Sequence, residues 1–181
     1  MVTDRTIEIV RTLDALRTRL ATWREAGARV GLVPTMGALH EGHFSLVDRA
    51  VSETDQVCAS IFVNPKQFGP TEDFSRYPRD ENGDCAALQA HGVNLIYMPT
   101  ADEMYPDGFA TSVTVPGIAD RLEGACRPGF FTGVATVVTK LLLQVRPDVA
   151  YFGEKDFQQL CVIRRMVTDL DIDVEIGACP T

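Results

Sequence analysis

Two histidines three residues apart, His40 and His43, lie beside two glycines in the stretch PTMGALHEGH (34–43). Glycine lets the backbone approach a bound group closely, and a helix start offers unpaired N–H groups and a positive dipole end. Imidazole adds a donor whose charge can change near neutral pH. Because the stretch leaves a predicted strand and enters a predicted helix, it predicts a phosphate site.

Two other interpretations of these histidines stay open. The pair could hold a metal ion from one face of a helix, or the rings could only cap and pack the helix. A metal needs further ligands, and the one other histidine, His91, falls in a separate predicted helix, although nearby carboxylates could contribute. The full ten-residue stretch in its strand–loop–helix context favours the phosphate interpretation.

Amide side chains follow the next predicted strand, in NPKQFG (64–69). Asn64 and Gln67 offer donors and acceptors suited to a hydroxy acid, and Lys66 adds a positive charge. Asn, Pro and Gly are also ordinary turn residues, so this stretch by itself favours a solvated turn.

A lysine opens another predicted helix, in FGEKDFQQ (152–159). A cation at a helix N-terminus opposes the helix dipole, and a bound phosphate at Lys155 would reverse that penalty. Gln159 follows one turn later and can share the same helix face. The alternative is a surface lysine paired with Glu154 or Asp156.

Arg127 lies in a basic, glycine-containing stretch that precedes a further predicted helix, RLEGACRPGFF (121–131). A guanidinium can clamp phosphate or carboxylate oxygens with parallel hydrogen bonds. An exposed Arg127 paired with Glu123 explains the stretch equally well.

Strand-like and helix-like patterns alternate along the chain, and this alternation predicts the elements that position these residues. Predicted helices cover 12–26, 44–53, 82–91, 131–145 and 155–170; predicted strands cover 29–34, 57–63, 93–98, 149–152 and 173–178, with an edge strand or hairpin at 111–115. Strands separated by helices indicate an α/β fold with a doubly wound parallel sheet. Ligands bind such sheets at the carboxyl ends of the strands.

Composition sets the remaining limits. The 181 residues carry 17 basic and 25 acidic side chains, and the net charge of −8 argues against indiscriminate binding to nucleic acid or anionic membranes. A small anion held by a few local cations remains compatible with it. The five scattered cysteines, without a C-x-x-C pair, indicate reduced thiols of a cytoplasmic protein. No apolar run is long enough to span a bilayer, and the start lacks a signal-peptide pattern.

Five stretches occur together in one order: PTMGALHEGH (34–43), FVNPKQFGP (62–70), YPRD (77–80), RPGFFTGVATVVTKLL (127–142) and YFGEKDFQQL (151–160). In this combination the chain resembles the pantothenate synthetase family, ATP-dependent ligases that join pantoate to β-alanine and share an HxGH-type motif with the wider nucleotidyltransferase superfamily. The resemblance implies a Rossmann-like N-terminal domain over residues 1–181, with helices on both faces of the sheet.

The resemblance also implies roles for single residues. The ATP site would comprise Met36, Gly37, Ala38, Leu39, His40, Glu41, Gly42 and His43 with Gly153, Glu154, Lys155 and Asp156. Among these, His43, His40 and Lys155 would be catalytic. Pantoate would contact Gln67, Gln159, Met36 and Asn64, and Gln67 would also lie near β-alanine. Arg127 would support the site, and Asp84 would approach a Mg²⁺ ion that accompanies ATP.

The implied reaction forms a pantoyl adenylate and pyrophosphate, after which β-alanine displaces AMP; the family also implies a homodimer. Phe130 departs from the family, which usually has histidine there. The family continues into a C-terminal lid domain, so we expect this domain alone to turn over poorly. Two rival functions are a ligand-binding module and a different adenylyltransferase with a phosphorylated substrate. The neutral Gln67 and Gln159 argue against the second rival.

Overall fold

A computed structural model describes residues 7–69 and 72–180, and within these ranges the chain forms one parallel sheet with helices on both faces. The strands are β1 (Glu8–Val10), β2 (Val30–Thr35), β3 (Gln56–Ile61), β4 (Leu95–Tyr97), β5 (Val149–Gly153) and β6 (Glu175–Cys179), in the spatial order β1-β4-β3-β2-β5-β6. Every paired neighbour runs parallel. The predicted α/β fold with a doubly wound parallel sheet is confirmed.

The helices of the described ranges connect these strands. They are α1 (Leu13–Glu25), α2 (Glu41–Glu53), α3 (Glu81–Ala90), α4 (Ala101–Met104), α5 (Glu123–Cys126), α6 (Phe130–Val145) and α7 (Phe157–Asp169), and short 3₁₀ turns occur at Pro65–Gln67, Phe74–Arg76 and Glu154–Asp156. Among the described residues, no helix combines the length and the apolar character needed to cross a membrane.

The core lies in two layers, one on each face of the sheet. Side chains of adjacent strand residues alternate between the layers, so that Leu32 packs with α1, α6 and α7 while Val33 packs with α2 and α3. Both residues are fully buried. This two-sided burial explains why the central strands are continuous apolar runs.

The order of the strands reverses between β2 and β5. From β2 the chain adds β3 and then β4 on one side, and it later adds β5 and β6 on the other side. The loops that leave the carboxyl ends of β2 and β5 therefore diverge and open a crevice, which is where open α/β sheets bind ligands. The first loop leads to His40 and His43 at the start of α2, and the second carries Lys155.

The structure departs from the predicted elements at several local points. Residues 111–115 form no strand, because Val113 N–H donates to Thr136 Oγ1 on α6 (3.0 Å) and the segment packs on that helix rather than on the sheet. The sequence pattern did not predict β1, whose three residues are too few to show a period. Helix α2 begins at Glu41 rather than at residue 44, and α7 begins at Phe157 rather than at residue 155.

Candidate active site

The loop after β2 is held in an unusual conformation. Gly37 and Ala38 have φ of +80° and +52°, a region that favours glycine. A carboxylate stabilises this loop, because Asp84 Oδ2 accepts from Ala38 N–H and Asp84 Oδ1 from Leu39 N–H, both at 2.9 Å. Thr35 Oγ1 accepts from Gly37 N–H at 3.2 Å. The backbone of the predicted phosphate loop is thus preorganised.

In the structure Asp84 supports the loop backbone, and its predicted contact with Mg²⁺ stays a prediction. The side chain is buried, with 6% of its surface exposed, and both of its oxygens are engaged by backbone N–H groups. Within the described ranges, no three His, Cys, Asp or Glu side chains lie close enough together to hold a metal ion. The described residues therefore do not form a metal centre of their own.

We expect Asp84→Asn to destabilise the protein by about 1–3 kcal/mol, because an amide can accept only one of the two backbone N–H groups and its NH₂ would face the other. Urea unfolding of the variant measures this change. Asp107→Asn, the same exchange on an exposed residue, is the control and should leave the stability unchanged. A stability of Asp84→Asn equal to that of the control would contradict this role.

His40 caps the N-terminus of α2 through its ring. Its Nδ1 accepts from Gly42 N–H at 3.1 Å, so the ring proton is on Nε2. The ring of His43 lies one turn further, with its centroid 4.3 Å from that of His40. The two rings therefore form a pair at the positive end of α2.

His43 is half-buried beside His40 at the start of α2. Burial, followed by the neighbouring His40, lowers the pKa of His43, while Asp84 and Asp156 act in the opposite direction. Its Nδ1 is buried without a hydrogen-bond partner among the described residues. His43 is thus a largely neutral group in the unliganded protein, and a nearby anion would favour its protonation.

Lys155 lies in the 3₁₀ turn between β5 and α7 and is exposed. Among the described residues it forms no ion pair, so the predicted alternative, a pair with Glu154 or Asp156, is not present. A cation without a partner near the N-terminus of α7 is an electrostatically costly arrangement. The position is suited to an anion.

Two cavities adjoin at the crevice. The histidine cavity, about 310 Å³, is lined by His40, Gly42, His43, Gly153, Lys155, Asp156 and Gln159, among others. The glutamine cavity, about 180 Å³, is lined by Met36, His43, Asn64, Gln67, Tyr77, Val134, Val137, Val138, Leu141, Asp156 and Gln159, among others. His43, Asp156 and Gln159 belong to both, so a ligand in one cavity can reach a ligand in the other.

The glutamine cavity combines an apolar wall with two amides. The valines and leucine on the wall come from α6, which fits a compact aliphatic group. Two neighbours hold the Gln67 amide. Its Oε1 accepts from Asn64 Nδ2 at 3.0 Å, and its Nε2 lies 3.1 Å from Met36 Sδ. Gln159 approaches from α7 on the opposite side. The cavity therefore suits a small molecule with an aliphatic body and hydroxyl or carboxylate oxygens.

Asn64 lines the glutamine cavity, and its predicted contact with pantoate stays a prediction. It is only 1% exposed. Its Oδ1 accepts from Lys66 N–H and Tyr105 O–H, and its Nδ2 donates to Gln67 and to the carbonyl of Gly133. These bonds use the full capacity of the amide, so in the unliganded structure Asn64 supports Gln67.

Arg127 is engaged by two carboxylates. It forms a bidentate pair with Glu72 (2.9 and 3.1 Å) and a single bond to Glu123 (3.0 Å). The pair with Glu123 is the alternative that the sequence left open, whereas the pair with Glu72 was not predicted. The ring of Phe130, at the position of the usual histidine, lies 3.7 Å from the guanidinium carbon. Arg127 therefore supports the edge of the site, and its charge is paired with those of Glu72 and Glu123.

Most predicted site residues come together, and some act only through the backbone. The predicted residues that line neither cavity are Gly37, Ala38, Leu39, Glu41, Asp84, Arg127 and Glu154. Sequence patterns missed Tyr105, which is distant along the chain and belongs to no recognisable motif. Tyr77, which lines the glutamine cavity, was recognisable only as part of YPRD (77–80).

The fold and the site together define the class. A Rossmann-like parallel sheet with an HxGH loop at its switch point is the architecture of a nucleotidyltransferase-type α/β protein. The family model for pantoate-beta-alanine ligase matches residues 8–181. The chain belongs to the pantoate-beta-alanine ligase family.

Individual relatives agree with this assignment. The chain is 61% identical over 175 residues to a pantothenate synthetase of Paramagnetospirillum magneticum and 59% identical over 175 residues to one of Rhizorhabdus wittichii, covering 97% of this chain and 62% of each relative. The chain thus spans about three fifths of the length of these relatives.

Solved structures show the same relationship. A pantothenate synthetase from Thermus thermophilus superposes with a TM-score of 0.92 at 55% identity, over 97% of this chain and 62% of that one. A pantoate-beta-alanine ligase from Francisella tularensis, solved with beta-gamma ATP and beta-alanine, superposes with a TM-score of 0.92 at 40% identity, over 97% of this chain and 67% of that one.

Proposed function

We propose that this chain holds ATP and pantoate side by side and supports the condensation of pantoate with β-alanine. In the first step a pantoate carboxylate oxygen attacks the α-phosphorus of ATP, which forms pantoyl adenylate and releases pyrophosphate. In the second step the β-alanine amine attacks the acyl carbon, which forms pantothenate and releases AMP. The names of the close relatives support this reaction.

The observation that carries the proposal is the junction of the two cavities at His43, Asp156 and Gln159. Adenylation requires a carboxylate and a phosphorus atom within reach of each other. A small cavity with an aliphatic wall that opens directly into a cationic cavity provides this arrangement. The protein then acts chiefly by positioning and by stabilising charge.

The histidine cavity is the proposed site of the ATP phosphates. The N-terminus of α2, the Nε2–H group of His40 and the ammonium of Lys155 offer donors and positive charge there. His43 gains a proton more readily as negative charge accumulates beside it. The charged ring then stabilises the pentavalent phosphorus of the transition state. The Francisella tularensis relative was solved with beta-gamma ATP and beta-alanine, which supports ATP as a ligand of this fold.

The glutamine cavity is the proposed site of pantoate. Its valines and leucine on α6 face the dimethyl carbon, while Gln67 and Gln159 hold the hydroxyl and carboxylate oxygens. β-Alanine approaches from the side of Gln67. Arg127, paired with Glu72 and Glu123, supports the rim.

Mg²⁺ enters the proposal only with the nucleotide. Asp84 is bonded to the backbone and the described residues form no metal cluster, so the phosphates and water would supply most of its ligands. We propose no step through a metal bound by the protein.

We extend the proposal to domain, assembly and location. Residues 1–181 would form the domain that binds nucleotide and pantoate, in a homodimer as the family implies. The chain would act in the cytoplasm on these small molecules, without nucleic acid or membrane partners. Its cysteines support a reducing location, since Cys58, Cys85, Cys126, Cys161 and Cys179 are all free thiols.

Pyrophosphate release tests the function. We expect release from ATP to require pantoate and to occur without β-alanine, because adenylation precedes amide formation. A panel of other hydroxy acids and of phosphorylated acceptors serves as the control. Release with a phosphorylated acceptor but not with pantoate would reject the proposal in favour of a different adenylyltransferase.

ATP binding should be coupled to proton uptake at His43. Burial lowers the pKa of His43 in the free protein, and a bound phosphate raises it. Between these two pKa values the complex holds more protons, so ATP affinity rises as the pH falls through this interval. Calorimetric titration in buffers of different ionisation enthalpy measures the uptake. Equal uptake by the wild type and by His43→Ala would contradict the role of His43.

A further inference from the structure

A chain of hydrogen bonds leads from Gln67 to a tyrosine outside both cavities. Tyr105 O–H donates to Asn64 Oδ1 at 2.8 Å, and Asn64 Nδ2 donates to Gln67 Oε1 at 3.0 Å. Tyr105 itself lines neither the histidine cavity nor the glutamine cavity. Its hydroxyl therefore acts on that cavity through Asn64, while its ring packs on Phe62, which lines the glutamine cavity.

The direction of these bonds is set by the backbone. Lys66 N–H, which can only donate, binds Asn64 Oδ1 at 3.2 Å, and the carbonyl of Gly133, which can only accept, binds Asn64 Nδ2 at 3.1 Å. Asn64 therefore cannot be turned end for end. Its second Nδ2 hydrogen must be accepted by Gln67 Oε1, which directs Gln67 Nε2 towards Met36 and the cavity.

Tyr105 is placed to donate and not to accept. Burial raises the pKa of its hydroxyl, so the proton is retained throughout the neutral range. Its ring lies 4.9 Å from Lys66 Nζ and 5.8 Å from Lys140 Nζ, and it packs on Phe109. These contacts hold the Tyr105 ring in place next to the turn that carries Gln67.

Close packing of α6 brings the acceptor of Gly133 to Asn64. A Cβ atom on Gly133 would lie 2.2 Å from the carbonyl oxygen of Lys66. Only glycine therefore permits this approach of helix and turn. The arrangement around Asn64 thus depends on a contact that larger residues would prevent.

We propose that Tyr105 is a positioning residue for Gln67: its hydroxyl, together with Lys66 N–H, holds the Asn64 amide in place, and Asn64 in turn holds the Gln67 NH₂ group towards the cavity as a donor. The inference rests on the proposed function, in which pantoate occupies this cavity. Gln67 then recognises an acceptor oxygen of pantoate, a carboxylate or hydroxyl oxygen. Without the Tyr105 hydroxyl, Asn64 keeps the orientation that Lys66 N–H and the Gly133 carbonyl impose, but it loses one of its two Oδ1 partners and holds Gln67 less firmly.

A double-mutant cycle tests this coupling in the chain described here. We expect Tyr105→Phe to weaken pantoate binding by about three- to tenfold, with ATP binding unchanged. In a Gln67→Met background the same exchange should have no further effect. Tyr97→Phe is the matched control, since Tyr97 is fully buried and, among the residues that the structure describes, its hydroxyl bonds only to Met104 Sδ at 4.0 Å. Equal losses from Tyr105→Phe in both backgrounds would overturn the proposal.

A second measurement does not need pantoate. The side-chain NH₂ signals of Gln67 can be assigned in nitrogen-15 spectra of the free protein by their loss in Gln67→Met. We expect Tyr105→Phe to shift or broaden these signals and Tyr97→Phe to leave them in place. Unchanged signals in Tyr105→Phe would overturn the proposal. If the wild type fails to bind pantoate, the proposed function fails, and the spectra still decide the role of Tyr105.

Discussion

Replacing His43 with alanine is expected to slow pantoate-dependent pyrophosphate release by about 10²–10³-fold, the loss typical of one preorganised group that stabilises transition-state charge. His43 lies at the junction of the two cavities, and burial keeps it largely neutral until a phosphate arrives. Rapid-quench measurement of one turnover, with protein in excess over pantoate, isolates this step.

The control for this variant is His91→Ala. His91 stacks on Phe44 with a centroid distance of 4.5 Å and lies 2.7 Å from Asp48, away from both cavities. The rate of pyrophosphate release should be unchanged in this control. A His43→Ala protein that binds both substrates and releases pyrophosphate at the wild-type rate would remove His43 from the mechanism.

Replacing Lys155 with alanine is expected to separate activity from stability. Pyrophosphate release should fall by about 10²-fold or more, because the ammonium faces the proposed phosphates. The free protein should be as stable as the wild type or more stable, since a cation near a helix N-terminus is unfavourable by about 0.3–1 kcal/mol. Rapid-quench kinetics and urea unfolding of the same preparation measure both quantities.

Lys155→Arg retains the charge and serves as the comparison. It should keep more activity than Lys155→Ala, while losing part of it because the planar guanidinium does not place its charge at the ammonium position. If Lys155→Ala lowered both the free energy of unfolding and the rate of pyrophosphate release, Lys155 would have a structural role.

Sequence patterns located the main part of the site because parallel strands end at one edge of the sheet. Once β2, β3 and β5 were predicted, the stretches that follow them had to meet there, which brought His43, Gln67 and Lys155 together. The periodicity also predicted helices α1, α3 and α6 to within about two residues at each end.

Contacts between distant residues were beyond this reasoning. Asp84 supports the loop at Ala38 from 46 residues away, and Tyr105 binds Asn64 from 41 residues away. Neither contact produces a periodic pattern in the sequence. A lone aspartate near a phosphate loop is also equally typical of a metal contact. The packing of 111–115 on α6 was missed because an alternating apolar pattern describes any half-buried extended segment.

The central claim is that the pantoate carboxylate attacks ATP where the two cavities join, and oxygen transfer tests it most directly. Pantoate labelled with oxygen-18 in its carboxylate is incubated with ATP, β-alanine and the protein, and the AMP is analysed by mass spectrometry. Attack on the α-phosphorus predicts one labelled oxygen in each AMP, because the carboxylate oxygen stays on phosphorus when the acyl bond breaks. Pantoate-dependent AMP without the label would contradict the account.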